Sequence, residues 1–252
     1  MPRIALIGTA STGSFGFGVG GLPSTVSTSY VIVGGVGAGD GFSGGGGGNV
    51  LVGATSLSVS TSYTVTCGPA NGSSVFNGIT AGGGSAAGGG RGGSCNGYVG
   101  GNTDTGWGDY VIWPPTYAPW ESGGYAFGGG GGAGFGGAGS SAYDSLPGSY
   151  YIFGGDGGPG WYSSVMGEYY GGGQGGTWMS VSNTDGPQNN GTNGPSGVGF
   201  DTFGSDGRGG VVLQYTSIIQ LWTGGTVTSS GSGAAKKWKH KFSASSTLAH
   251  IY

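Results

Sequence analysis

The sequence predicts an all-β protein joined to a polyglycine II helix bundle: a small antiparallel sheet flanking a glycine-rich block, with no α-helix. Three observations predict it. First, glycine supplies 69 of 252 residues, and 45 of the 69 fall between Gly82 and Gly210. Glycine has no side chain to bury. Such a stretch either stays disordered or packs through its backbone, as extended left-handed helices with three residues per turn that hydrogen-bond to their neighbours. Second, the same stretch holds five of seven Trp and ten of fourteen Tyr. Disordered glycine-rich linkers are poor in aromatic residues, so the packed option is favoured. Third, β-branched segments bracket the block, and no ten-residue window suits a helix. Collagen is excluded by the irregular glycine spacing and by only seven prolines in the block.

Arg3 to Ile7 is a short apolar segment. Ser29 to Val33 reads as a strand and runs into the glycines of 34–48. Asn49 to Val52, Ser56 to Ser60 and Ser62 to Cys67 alternate as half-buried strands do. Ser73 to Ala81 alternates more weakly. The block follows, with runs at Gly82–Gly84, Gly88–Gly90 and Gly128–Gly132, and at 171–176 and 207–210, the last two each broken by one other residue. Gly210 to Tyr215 and Ser217 to Trp222 read as strands again. Thr226–Thr228 and Lys237–Phe242 flank a hairpin loop, and Ser246 to Tyr252 is a last strand. The expected organisation is 1–81 as an N-terminal β segment, 82–210 as the glycine block with aromatic loops, and 211–252 as a C-terminal hairpin and strand segment. Residues 29–81 and 81–215 form one domain in this reading.

Charge is scarce. Only 7% of residues are charged, against about 25% in ordinary globular domains, so solubility falls to Ser, Thr, Asn and exposed backbone. The net charge of −3 hides an asymmetry: residues 82–210 carry nine acids and two arginines, and residues 211–252 carry four lysines and no acid. No basic patch with interleaved aromatics points to nucleic acid. No apolar run approaches the roughly 20 residues of a membrane span, and Arg3–Gly8 is too short for a signal h-region. Cys67 and Cys95 form either one disulfide or two reduced thiols, too few for a disulfide scaffold or a zinc site. No cofactor and no metal site is expected. Asp156, Asp201 and Asp206 lack the spacing of a calcium loop, and GxGxxG matches occur outside any βαβ context. His240 and His250 have no acid near them in sequence, and nothing in the sequence brings Glu121 and Glu168 together. The expectation is that the chain is no enzyme.

The order SYVIVGG, a poly-Gly loop, GGGNVLVG, SLSVSTSYTVTCGPA, SSVFNGITAGGGSAAGGG and GRGGVVLQYT resembles the glycine-rich domain of tailed-phage structural proteins. The match covers residues 29–99 and 204–215, the middle matching only in composition. The architecture is also similar to the tip adhesins of T-even-type long tail fibres, in which glycine helices hold variable loops against a receptor. The resemblance implies a virion protein made in the host cytoplasm and oligomeric in the particle. Its partners would be other virion proteins and a host-surface glycan or outer-membrane protein. One segment departs from the pattern: Phe242–Leu248 looks like the strand that precedes the first Val-rich strand in this family. It either folds back beside Ser29–Val33 or pairs with a neighbouring subunit.

Candidate contact residues follow from chemistry. Trp107, Tyr110, Trp113, Tyr117 and Trp120 share one loop with Pro114, Pro115 and Pro119, which restrict it. Trp161, Tyr162 and Trp178 belong to later aromatic loops, with Tyr143, Tyr150, Tyr151, Tyr169 and Tyr170 in the same position. These rings either meet a receptor or fold over the glycines as a core. Asn189 and Asn190, in the polar run Ser182–Asn193, suit sugar hydroxyls or form a solvated turn. Lys236, Lys237, Lys239 and Lys241 either dock an acidic partner subunit or the acidic central block of a neighbour, or protect an edge strand. Two functions remain: a tail-fibre or adhesin subunit that binds a host receptor, or a capsid decoration, head fibre or tail-assembly subunit that binds virion proteins only.

Overall fold

A computed structural model describes residues 23–41, 43–88, 92–96, 100–101, 104–105, 125–128, 130–144, 151–181, 190–192, 196–197, 199–200 and 202–251. The strands in the first part are β1 (Thr25–Val33), β2 (Val50–Ser58), β3 (Tyr63–Thr66), β4 (Ser74–Phe76) and β5 (Ile79–Ala81). Within the glycine-rich part lie β6 (Asp104–Thr105), β7 (Tyr125–Gly128), β8 (Tyr143–Asp144), β9 (Tyr151–Phe153), β10 (Trp161–Ser163), β11 (Glu168–Tyr170), β12 (Trp178–Val181) and β13 (Asn190–Thr192). The chain ends with β14 (Gly210–Thr216), β15 (Trp222–Thr223), β16 (Thr226–Ser230), β17 (Lys237–Phe242) and β18 (Ser246–His250). The described residues form no α-helix. All pairings are antiparallel except that of β13 with β9.

The expected small sheet is in fact two five-stranded sheets, ordered β16-β17-β14-β1-β2 and β15-β18-β3-β4-β5. They sandwich one core. The first sheet contributes Ile32, Leu57, Val211, Leu213, Tyr215 and Phe242, and the second Val65, Phe76, Ala81, Trp222 and Leu248. Burying each large side chain stabilises by about 1.5–3 kcal/mol. Val31, Val33, Val50 and Val212 point from the first sheet to its other face. They meet a second core of Met166, Tyr170 and Phe203, with Phe135 and Trp161 at its margin. This double coverage explains the unbroken apolar end of β1 and the centre of β14.

Several expected boundaries shift for local reasons. Asn49–Val52 and Ser56–Ser60 fuse into the nine-residue β2, in register with β1 from Thr25↔Ser58 to Val33↔Val50. Ser73–Ala81 is a hairpin, because Asn77 and Gly78 both take positive φ, 47° and 79°, as the tightest right-twisted turns require. Of Ser217–Trp222 only Trp222 is in a strand. The Tyr215 hydroxyl accepts the Leu221 N–H at 3.0 Å and Gln220 donates to the Trp222 carbonyl at 2.7 Å, so 217–221 crosses between sheets. The segment after Phe242 neither lies beside Ser29–Val33 nor needs a neighbouring subunit: β17 pairs with β14, and β18 pairs with β3. β17 also pairs with β16, which overturns the reading of its lysines as protectors of an edge strand.

The glycine segments enter and leave from one end of the sandwich. Gly34 N–H donates to the Asn49 carbonyl where β1 ends and β2 begins, and Asn49 N–H donates to the Gly82 carbonyl just past β5. Deeper in, Gly131–Ala133 bonds to six separate segments. Its three N–H groups donate to Ser140, Gln174 and Gly93, and its three carbonyls accept from Gly101, Gly158 and Gly47, all at 2.6–3.0 Å. Neighbouring backbones touch so closely that a Cβ built on Gly132 would overlap the carbonyl oxygen of Gly45, and one on Gly173 that of Gly132.

Candidate functional site

The hairpin β10–β11 brings two of the sequence candidates, Trp161 and Tyr162, to one place. Along each of its two strands exposure and burial alternate. Trp161, Ser163, Met166 and Tyr170 turn toward the second core, while Tyr162, Val165 and Tyr169 remain 49%, 51% and 45% exposed. Tyr162 and Tyr169 are cross-strand partners, and their rings sit 5.0 Å apart with a 53° tilt. Cross-strand aromatic pairs of this kind stiffen a hairpin while leaving ring faces open. The turn is closed by the Gly167 N–H donating to the Ser163 carbonyl at 2.7 Å and by the Ser163 hydroxyl accepting the Met166 N–H at 3.2 Å.

Below the rings the hairpin is clamped to the sandwich. Lys239 Nζ donates to Glu168 Oε1 at 2.6 Å and to the Met166 carbonyl at 3.1 Å. Lys241 Nζ donates to Glu168 Oε2 at 3.0 Å. Partial burial alone would raise the pKa of Glu168, but the hydrogen bonds from Lys239 and Lys241 hold it below the usual carboxylate value. Burial, and then the adjacent Glu168 charge, push the Tyr170 phenol well above its ordinary value. On the same strand as Glu168, the Tyr169 carbonyl accepts from Thr202 Oγ1 at 2.7 Å. The hairpin is thus tied through β11 and its turn to residues far away in sequence.

The other candidates separate. Lys239 and Lys241 find their acidic partner in the glycine-rich part of their own chain. Lys236 lies 4.1 Å over the Trp238 ring, and Lys237 is exposed at the start of β17. Trp178 opens β12 opposite Gly128, and Asn190 opens β13 opposite Tyr151. Trp107, Tyr110, Trp113, Tyr117, Trp120 and Asn189 lie outside the described residues. Cys67 and Cys95 are unpaired, and burial pushes both thiols up to about 11, so both are protonated at neutral pH. Among the described residues no three His, Cys, Asp or Glu side chains gather to hold a metal, and no helix is long and apolar enough to cross a membrane.

Sequence reasoning missed Val165, and it missed Glu168 as a clamp. The signal for the first was its place in SVMG, the Gly-containing turn between two short aromatic strands. The signal for the second was one acid among aromatics in a chain with few charges, opposite alternating lysines. Comparison with known proteins gives no match: no family model, no curated protein and no solved structure is similar to this chain.

Proposed function

We propose that the chain is a phage virion structural protein, a tail-fibre or adhesin subunit that recognises a host-surface glycan or outer-membrane protein. In this reading exposed aromatic side chains, held on a rigid glycine-rich scaffold, make the contact, and other virion proteins hold the subunit in the particle. The observation that carries it is the Tyr162–Tyr169 pair, open to solvent on a hairpin fixed from below by Glu168, Lys239, Lys241 and two cores. Aromatic rings presented rigidly give large contact area at small ordering cost. The scaffold in this proposal is a bundle of polyglycine II helices. Support comes from the six-neighbour bonding of Gly131–Ala133 and from the absence of room for a Cβ at Gly132 and Gly173. The motif order of residues 29–99 and 204–215 supports the virion assignment.

The test is adhesion of purified protein to a panel of candidate host bacteria, with a Tyr162→Ala/Tyr169→Ala variant whose circular dichroism matches wild type. The expected result is binding that the variant weakens about tenfold or more, as loss of an aromatic hot spot does. Equal binding by both proteins removes the hairpin from the receptor site. A second reading, a decoration or assembly subunit, is favoured by β2. It is an outer strand among the described residues, nine residues long, without charge or proline, and exposes Leu51 and Val52. Such an edge accepts another strand. Failure of wild type to bind any cell, with retained assembly onto particles, moves the assignment there.

A further inference from the structure

The register of the first sheet places a polar row structure beside the aromatic hairpin. Lys239 stands between Gln214 on β14 and Thr228 on β16, and Lys237 stands between Thr216 and Ser230. Two residues apart along each strand, these side chains share one face. That face is the one that carries Val212 and Lys241 toward the hairpin. Its apolar half is covered by Met166, Tyr170 and Phe203. Its polar half is open. Between it and the turn of the hairpin lies a cavity of about 310 Å³, lined by Ser164, Val165, Gln214, Thr228, Ser230 and Lys237 among others. The volume falls at the small end of small-molecule sites, about 300–1,000 Å³.

The lining is hydroxyl, amide and ammonium. Ser164, Thr228 and Ser230 offer groups that both donate and accept, Gln214 offers a donor and an acceptor, and the lysines only donate. Charge is equally specific. Among the described residues Lys237, Lys239 and Lys241 share this face with one carboxylate, Glu168, which already takes Lys239 and Lys241. Lys237 makes no salt bridge among the described residues. A locally positive face therefore stands out on a chain of net charge −3. A ligand rich in hydroxyls and carrying a carboxylate fits every part of this lining. A neutral sugar leaves Lys237 without a partner, and a simple anion leaves the hydroxyl row unused.

We propose that the groove between the 164–167 turn and strands β14, β17 and β16 binds an acidic saccharide. The sugar hydroxyls meet Ser164, Gln214, Thr228 and Ser230, and the sugar carboxylate meets Lys237. This deepens the adhesin reading and rests on it, since it names the class of surface glycan recognised next to the tyrosine pair.

The experiment is a calorimetric titration of the whole protein with trigalacturonate and with sialyllactose, against lactose and sodium acetate at matched ionic strength. The expected result is saturable binding of at least one acidic oligosaccharide, at least tenfold weaker binding of lactose, and no saturable binding of acetate. Lys237 is exposed, so Lys237→Gln should fold. It is expected to weaken binding about tenfold, which corresponds to about 1.4 kcal/mol, while Lys237→Arg keeps most of it. Raised salt should weaken the wild type more than the Gln variant. Binding of neither acidic sugar, equal binding of lactose or acetate, or an unchanged Lys237→Gln variant each overturns the proposal. Cell adhesion with the tyrosine variant is read separately. Adhesion without acidic-sugar binding sinks the groove alone, and acidic-sugar binding without adhesion sinks the adhesin reading alone.

Discussion

His240 shows how much one side chain constrains this fold. It is fully buried in the sandwich, stacked on Tyr215 at 5.7 Å and on Phe242 at 6.4 Å. Its Nδ1 lies 2.9 Å from the Gly224 carbonyl, which only accepts, so Nδ1 carries the proton. Nε2 is then the acceptor for the Tyr215 hydroxyl at 3.4 Å. Burial lowers the pKa of His240 below its ordinary 6.5, and the Gly224 carbonyl only partly opposes this. The unfolded chain therefore binds the proton more readily than the folded one. Stability is fully present above 6.5 and falls as pH drops from there toward the depressed folded value. Thermal melts from neutral pH to about pH 5 should show a falling Tm. A His240→Gln variant should start lower and show a flatter slope over that window. A wild-type Tm that is level or rises on acidification contradicts the neutral, buried imidazole.

At the scale of the element, the hairpin β10–β11 depends on an ion-paired clamp that the sandwich supplies. Glu168→Gln keeps the shape but leaves Lys239 and Lys241 facing a neutral amide. The loss should be about 1 kcal/mol, discounted because the carboxylate is about a third exposed and screened. Because the Glu168 pKa is lowered in the fold, its contribution is present above the unfolded carboxylate value and is lost as pH falls below it. The checks are urea midpoints of both proteins at neutral pH and at about pH 3.5: the difference should be clear at neutral pH and shrink in acid. A difference that persists in acid assigns Glu168 a packing role instead. Elements of this kind were only partly legible. The strands β1, β14, β16 and β17 announced themselves through β-branched runs and a hairpin loop. Asn77-Gly78 marked a turn that the alternation of its flanks concealed. The pairing of β18 with β3, far apart in sequence, left no local trace, because antiparallel register is set by the packed core and not by either segment. The clamp was hidden for the same reason: Glu168 and Lys239 meet only once both sheets exist.

At the scale of the molecule, two unlike packing principles share one chain. The sandwich excludes water with side chains, while the described glycines around Gly131–Ala133 meet their neighbours backbone to backbone. Composition marks where glycine dominates, with 45 of 69 glycines between Gly82 and Gly210, but it hides the side-chain core that Met166, Tyr170 and Phe203 of the same stretch build against β1 and β14. Which glycines lie innermost was not visible, because a run of identical residues carries no pattern to read. The structure distinguishes them. Gly132 donates to Gln174 and accepts from Gly158, and a Cβ there would overlap the Gly45 carbonyl, a backbone atom that cannot rotate away. Gly88 lies on the surface with nothing within 4 Å of an added Cβ. Gly132→Ala should therefore cost about 3 kcal/mol or more, about 10 °C in Tm, at the upper end of overpacking penalties. Gly88→Ala should stay within about 0.5 kcal/mol of wild type. Differential scanning calorimetry of the two variants checks both. If the block is an ordered, backbone-packed bundle, the two alanines separate widely although each adds one methyl to a glycine run. If both leave the melt unchanged, the block is not close-packed, and the rigid presentation of Tyr162 and Tyr169 loses its foundation.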